Sequence, residues 1–83
     1  MEREEVVSAI QGVAVEVLGV EASQVNEEAR FKEDLEADSL DLVELVMALE
    51  ESFDISVPEE DLEGVTTVGQ AVDLVLTKVA AST

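Results

Sequence analysis

Apolar residues recur at intervals of three and four in three separate segments of the chain, and this periodicity limits the possible folds more than any other feature. The segments run from Glu4 to Leu18, from Leu40 to Phe53, and from Thr67 onward. Residues three and four positions apart share one face of an α-helix, so each segment predicts an amphipathic helix with one buried side. The residues predicted to be buried are Val6, Val7, Ile10, Val13, Ala14, Val17 and Leu18 in the first helix, Leu42, Leu45, Val46, Leu49 and Phe53 in the second, and Val68, Ala71, Val72, Val75, Leu76 and Val79 in the third.

Residues with capping preferences mark the ends of these helices. Gly19 follows the first segment and can adopt the left-handed conformation that ends a helix. Asp38 and Ser39 precede the second segment, where either side chain can accept a hydrogen bond from the first exposed amides. Thr67 and Gln70 have the spacing of a capping box, which predicts the start of the third helix.

Two other stretches complete the predicted fold. Pro58 precedes the run Glu59–Leu62, which suits a short helix ended by Gly64. We expect the long loop between the first two helices to be ordered, because four of its residues can pack on the core: Val20, Val25, Phe31 and Leu35. A chain of this length supports one core, so the sequence predicts an all-α fold. It is a small four-helix bundle of three longer helices and one short helix, formed by a single domain covering residues 1–83.

The charge balance is strongly acidic, with 21 Asp and Glu residues against four Lys and Arg and a net charge of −17. Such a surface repels nucleic-acid phosphates and anionic membranes, and no apolar run is long enough to span a bilayer. The first residues lack the basic and then apolar pattern of a signal peptide. We therefore expect a cytoplasmic monomer that binds no nucleic acid, inserts in no membrane and meets partners with basic patches.

Catalysis and metal binding are both disfavoured by the residue types present. The chain has no His, Cys or Tyr to activate Ser39, and a domain of this size has little room for the deep, water-excluding cleft in which a carboxylate pair could do acid-base work. The acids after Asp34 suggest a calcium-binding EF-hand loop, but Ser39 stands where that loop needs Gly and Leu45 where it needs Glu. We expect no catalytic residue and no metal site. A non-catalytic adaptor that docks through acidic residues stays open as an alternative.

The second helix carries more apolar residues than one buried face needs. Leu40, Val43 and Met47 lie to the side of the predicted core stripe, among several carboxylates, and no Lys or Arg occurs from Glu33 through Thr77. An apolar strip with an acidic rim is suited to brief, electrostatically steered binding of basic partners. The ordinary interpretation, a solvated charged helix with a few exposed apolar residues, accounts for either feature alone.

Residues 36–54, EADSLDLVELVMALEESFD, resemble the signature of bacterial-type acyl carrier proteins. The similarity continues through VPEED at 57–61 and TTV at 66–68. More loosely, it extends back through FKEDL at 31–35 to the first helix. It implies a four-helix bundle whose Ser39, in the motif with Asp38 as helix cap, receives 4'-phosphopantetheine from coenzyme A through a Mg-dependent phosphopantetheinyl transferase.

The resemblance further implies that the arm's thiol carries acyl groups as thioesters, and that acyl chains lie between the helices. Acyltransferases, ketosynthases, reductases and dehydratases would be the partners. The expected partner surface comprises Leu40, Asp41, Val43, Glu44, Met47, Glu51, Glu59 and Glu60. The likeness is strongest to carriers of fatty-acid synthesis, with polyketide carriers as the alternative. One departure is Glu36, where the family often has Gly, and we expect it to alter the loop before the motif without preventing attachment.

Overall fold

The computed structural model describes residues 2–82, including their side chains apart from those of Glu59, Ala81 and Ser82. Four α-helices follow one another: α1 (Arg3–Leu18), α2 (Ser39–Phe53), α3 (Glu59–Leu62) and α4 (Val68–Ser82). In this part of the chain an isolated bridge between Arg30 and Thr67 is the sole β-type pairing. The predicted all-α bundle of three longer helices and one short helix is confirmed.

The helix ends follow the capping residues closely. Gly19 ends α1 with a φ of 70° and donates its amide to the Val15 carbonyl at 3.1 Å. The Gln70 amide donates to Thr67 Oγ1 at 3.2 Å, and the Thr67 amide donates to Gln70 Oε1 at 3.0 Å, which is the predicted capping box. Both predictions are confirmed, since the residue types dictate the local hydrogen bonds.

Helix α1 is central to the core because it packs against both α2 and α4. Its residues Val6, Ile10 and Ala14 are fully buried, while Val7, Val13, Val17 and Leu18 are half-buried. The predicted apolar stripe of α1 therefore faces the core, but four of its seven residues are only half-buried. Three buried residues, Ala29, Ala37 and Ile55, were not part of any predicted stripe because they lie outside the long helices.

The loop between α1 and α2 is ordered by apolar anchors and by backbone hydrogen bonds to the start of α4. Val25, Phe31 and Leu35 are buried, as expected, and Val20 is half-buried. A short 3-10 helix at Ala22–Gln24, which the sequence analysis did not predict, shortens the irregular stretch. The loop pairs with α4 through Phe31 N–H to Thr66 O at 3.0 Å and through two further bonds, Val68 N–H to Ala29 O and Gly69 N–H to Glu27 O, both at 2.9 Å.

Arg3 ties the same loop to both long terminal helices. Its guanidinium donates to Glu27 of the loop and, at 2.6 Å, to Asp73 of α4. The hydrogen bonds that the guanidinium donates to Glu27 and Asp73 raise the pKa of Arg3 further above its already high ordinary value. Arginine is charged at every accessible pH, so the guanidinium remains a cation wherever the protein is folded.

Glu36 occupies a backbone conformation that suits glycine. Its φ is 55°, in the left-handed region where a Cβ crowds the neighbouring carbonyl. This explains in physical terms why Gly is frequent at this position in the resembled family, and it places a strained, charged residue just before Asp38 and Ser39.

Replacing Gly69 with Ala should destabilise the fold, whereas Gly12→Ala should stabilise it. A Cβ on Gly69 would lie 3.0 Å from the Glu27 carbonyl oxygen, which cannot retreat without losing its bond from the Gly69 amide. We expect a loss of about 1 kcal/mol or more from such overpacking. Gly12 lies within α1 with nothing within 4 Å of its added Cβ, so Ala should gain about 0.5 to 1 kcal/mol there. Urea unfolding of both variants measures the difference, and equal shifts would contradict it.

Replacing Glu36 with Gly should raise the free energy of unfolding. A non-glycine residue in the left-handed region costs about 1 to 2 kcal/mol, and Gly removes this strain. The greater conformational freedom of Gly in the unfolded chain costs about 0.5 to 1 kcal/mol of that gain. The matched control is Glu36→Ala, which removes the charge and keeps the Cβ. Thermal and urea unfolding should show a gain for Gly that Ala lacks, and an equal gain in both would assign the effect to charge.

Candidate functional site

Ser39 is the first residue of α2, and its side chain is exposed. The preceding Asp38 caps the helix: its Oδ1 accepts the Asp41 amide at 2.9 Å, while Asp41 Oδ2 accepts the Asp38 amide at 3.2 Å. Of the two caps that the sequence allowed, the structure therefore selects Asp38. The Ser39 hydroxyl has no hydrogen-bond partner among the described residues, and it is available for chemistry without loss of the cap.

The start of α2 is suited to a phosphate ester on Ser39. The first amides of a helix have no intrahelical acceptor, and they form the positive end of the helix dipole. An anion attached to Ser39 would lie beside the amides of Ser39 and Leu40, a favourable position for a phosphate. The exposed hydroxyl and the free helix end both fit such a group.

The apolar strip predicted on α2 is exposed, as expected. Leu40 is 74% exposed, Val43 42% and Met47 56%. Glu44 and Glu51 are exposed and follow Leu40 and Met47 along one line of the helix surface. These positions form a continuous apolar and acidic surface that begins beside Ser39.

The other acids of the expected partner surface have different environments. Asp41 is half-buried and engaged with the Asp38 amide, so it serves the helix end as well as the surface. Glu60 is exposed on α3. The side chain of Glu59 lies outside the described residues. Glu44 is therefore a cleaner probe of the acidic rim than Asp41.

An apolar cavity of about 40 Å³ lies between α2, α3 and α4. Its walls include Phe31 from the loop, Leu45 and Leu49 from α2, Leu62 from α3, and Leu74 and Val75 from α4. One water molecule in the liquid occupies about 30 Å³, so the cavity is small unless the helices part. The sequence predicted an aliphatic core between the helices but could not locate this space, because it depends on how the helices pack.

Two polar contacts hold α3 and the residues just before it beside the cavity. Glu50 of α2 accepts the Val57 amide through Oε2 at 2.9 Å, and the Lys78 ammonium of α4 lies 2.7 Å from Asp61 Oδ2 of α3. The sequence analysis gave neither acid a structural role. Their distant partners, seven and seventeen positions away, gave no local signal.

Within the described residues, no group of three or more potential metal ligands comes together. No helix in the same part of the chain is long and apolar enough to cross a membrane.

Comparisons with known proteins agree on one family. A family model described as the phosphopantetheine attachment site matches residues 8–75. An acyl carrier protein from Rubrobacter xylanophilus is 55% identical over 76 residues, which cover 92% of this chain and 94% of that protein. One from Prochlorococcus marinus is 49% identical over 78 residues, covering 94% and 98%.

The fold comparison gives the same result. The crystal structure of an acyl carrier protein from Thermotoga maritima superposes with a TM-score of 0.88 at 31% identity, covering all of this chain and 96% of that one. The matches in sequence extend across the segment that holds Ser39 and both sides of the cavity. The chain therefore belongs to the acyl carrier proteins, a family of carriers rather than catalysts, whose members hold acyl chains on a phosphopantetheine arm.

Proposed function

We propose that Ser39 is the attachment residue and that the protein carries acyl intermediates of fatty-acid synthesis. The observation that supports this most directly is the exposed, unbonded Ser39 hydroxyl at the start of α2, with the cap supplied by Asp38. An adaptor that used Ser39 only as a helix cap is disfavoured, because Asp38 does the capping.

Attachment requires one bond to form and one to break. The Ser39 oxygen bonds to the phosphorus that bears the pantetheine of coenzyme A, the pyrophosphate bond breaks, and 3',5'-adenosine diphosphate leaves. The hydroxyl proton passes to a base on the transferase, since the Ser39 hydroxyl has no hydrogen-bond acceptor among the described residues. The chain's own part is to present the hydroxyl at the positive end of α2.

The attached arm supplies a terminal thiol for acyl groups. The cavity between α2 and α4 is the site we propose for the acyl chain, because its lining is almost entirely apolar and includes Leu42, three residues after Ser39. An acyl chain larger than this cavity can enter only if the Leu and Val side chains that line it move apart. An aliphatic core of this kind deforms at lower cost than one built on rigid aromatic rings.

The surface of Leu40, Val43, Glu44, Met47 and Glu51 is the proposed docking face for partner enzymes. Exposed carboxylates steer basic patches toward it, and the apolar strip supplies affinity once the partner is aligned. We assign Asp41, Glu59 and Glu60 to the same acidic rim. The partners are the phosphopantetheinyl transferase and the acyltransferases, ketosynthases, reductases and dehydratases of the pathway.

The pathway itself is part of the proposal. The residues around Ser39 resemble carriers of fatty-acid synthesis most strongly, and polyketide synthesis is the second candidate because its carriers share most of the motif. We place the protein in the cytoplasm, as a monomer formed by one domain spanning residues 1–83. The curated relatives have nearly the same length, which supports the single domain.

Intact-protein mass should increase by one phosphopantetheine when the protein is incubated with coenzyme A, Mg²⁺ and a broad-specificity transferase. Ser39→Ala should show no increase. Since Ser39 is exposed and is not the cap, the variant should change the free energy of unfolding by less than about 0.5 kcal/mol.

The stability comparison decides between the two roles of Ser39. A loss of about 0.5 to 2 kcal/mol in Ser39→Ala would be typical of a capping residue and would contradict the assignment of the cap to Asp38. An unmodified but folded wild type, with a transferase proven active on another carrier, would overturn the carrier proposal and favour the adaptor.

Reversing the charge of Glu44 should slow attachment at low salt. We expect Glu44→Lys to reduce kcat/KM of the transferase by about tenfold at low ionic strength, with a smaller effect as salt screens the surface. Glu16→Lys, on the exposed face of α1, is the matched control and should leave the rate near that of wild type. Equal rates for both variants would show that α2 is not the docking face.

A further inference from the structure

Helix α3 forms part of the wall between the apolar cavity and the surface. Leu62 lines the cavity and also borders two surface grooves, one beside Arg30 and Lys32 of the loop and one beside Val43 and Met47 of α2. The helix has only four residues, and no side chain caps its start. A wall this short has little intrinsic stability, so its position depends on what its neighbours hold in place.

The contact between α3 and α4 is an unusually sheltered ion pair for this protein. Lys78 Nζ lies 2.7 Å from Asp61 Oδ2, and the two side chains are 29% and 36% exposed. The side chains in the ion pairs of Arg3 and Arg30 are 41% to 66% exposed. Less water around the charges means less screening, so this pair is the more effective tether.

Asp61 depends strongly on its cation. Its Oδ2 atom is buried and has no hydrogen bond of good geometry among the described side chains, so the nearby Lys78 ammonium offsets its charge. Lys78 is also the one basic residue in the sequence after Lys32. Losing the ammonium would leave a buried carboxylate oxygen without compensation, which moving α3 outward into water would relieve.

The ion pair lies directly beside the cavity. Lys78 follows Leu74 and Val75 by four and three residues, so it extends from the same face of α4 one turn later. Asp61 immediately precedes Leu62. A movement that separates Asp61 from Lys78 therefore also withdraws Leu62 from Leu74 and Val75, which opens the cavity wall.

We propose that the Asp61–Lys78 pair is a latch that holds α3 closed and controls how firmly an acyl chain is retained in the cavity. The inference rests on the proposed function, since it requires a chain attached through Ser39. Retention of the acyl chain then depends on this ion pair, whereas binding of partner enzymes depends on the docking residues of α2.

The first test uses the protein without the arm. Asp61→Asn and Lys78→Gln should both increase amide hydrogen exchange at Val65, whose N–H bonds to Leu62 O at 3.0 Å. The increase should be about two- to fivefold, the range expected from a partly exposed ion pair. Arg3→Gln, which breaks the contacts with Glu27 and Asp73 away from the cavity, should leave exchange at Val65 unchanged. Unchanged exchange in both latch variants would overturn the proposal.

The second test follows the exposure of a bound chain. The broad-specificity transferase attaches the acyl-phosphopantetheine of octanoyl-coenzyme A or acetyl-coenzyme A to the protein. The loaded protein is then treated with hydroxylamine, and cleavage of the thioester is followed by intact mass. We expect cleavage of the octanoyl form to be about two to five times faster in the latch variants, with the acetyl form unchanged because it is too short to be sheltered. Lys78→Gln should have the larger effect, and adding Asp61→Asn to it should not increase the rate further.

The outcomes separate the two proposals. Loading on Ser39 with the same octanoyl rate in wild type and latch variants would overturn the latch and leave the carrier role intact. Equal cleavage of the octanoyl and acetyl forms in wild type would overturn both the cavity site and the latch. Absence of loading would overturn the carrier role itself.

Discussion

The packing of α1 against both α2 and α4 is the constraint on which the other features depend. Val6, Ile10 and Ala14 are completely buried at this junction, so α2 and α4 are each held by a common neighbour. The two helices do not have to fill the space between them to keep the fold together. That freedom is what permits a cavity, lined by Leu45 and Val75, to which α1 contributes no residue.

A net charge of −17 works against any compact state, and two of the four cations lie where separate elements meet. Arg3 connects α1, the loop and α4, and Lys78 connects α3 with α4. The two contacts differ in consequence. Arg3 joins parts that the apolar core already holds together, whereas Lys78 holds a four-residue helix with little else to fix it. An ion pair has most effect on structure where packing is weakest.

A feature of this structure could be predicted from the sequence when the residues that form it are close together along the chain. The stripe of α4, the capping box of Thr67 and Gln70, and the exposed Leu40 strip depend on residues within a few positions, so periodicity and spacing reveal them. The Glu50 contact with Val57 and the Asp61 contact with Lys78 join separate elements. Such contacts leave no local pattern. The positive φ of Glu36 could not be predicted from its residue type either, because Glu, unlike Gly, has no preference for the left-handed region.

The start of α2 shows how the fold keeps its stability separate from its chemistry. Asp38 supplies the cap, which is worth about 0.5 to 2 kcal/mol, and the neighbouring Ser39 supplies the hydroxyl. If Ser39 were the cap, esterifying its oxygen would crowd the bond that starts the helix. With the two roles on adjacent residues, a phosphate on Ser39 adds negative charge where the helix amides favour it, although the rest of the surface is strongly acidic. Modification can therefore leave the bundle in place while the arm is added.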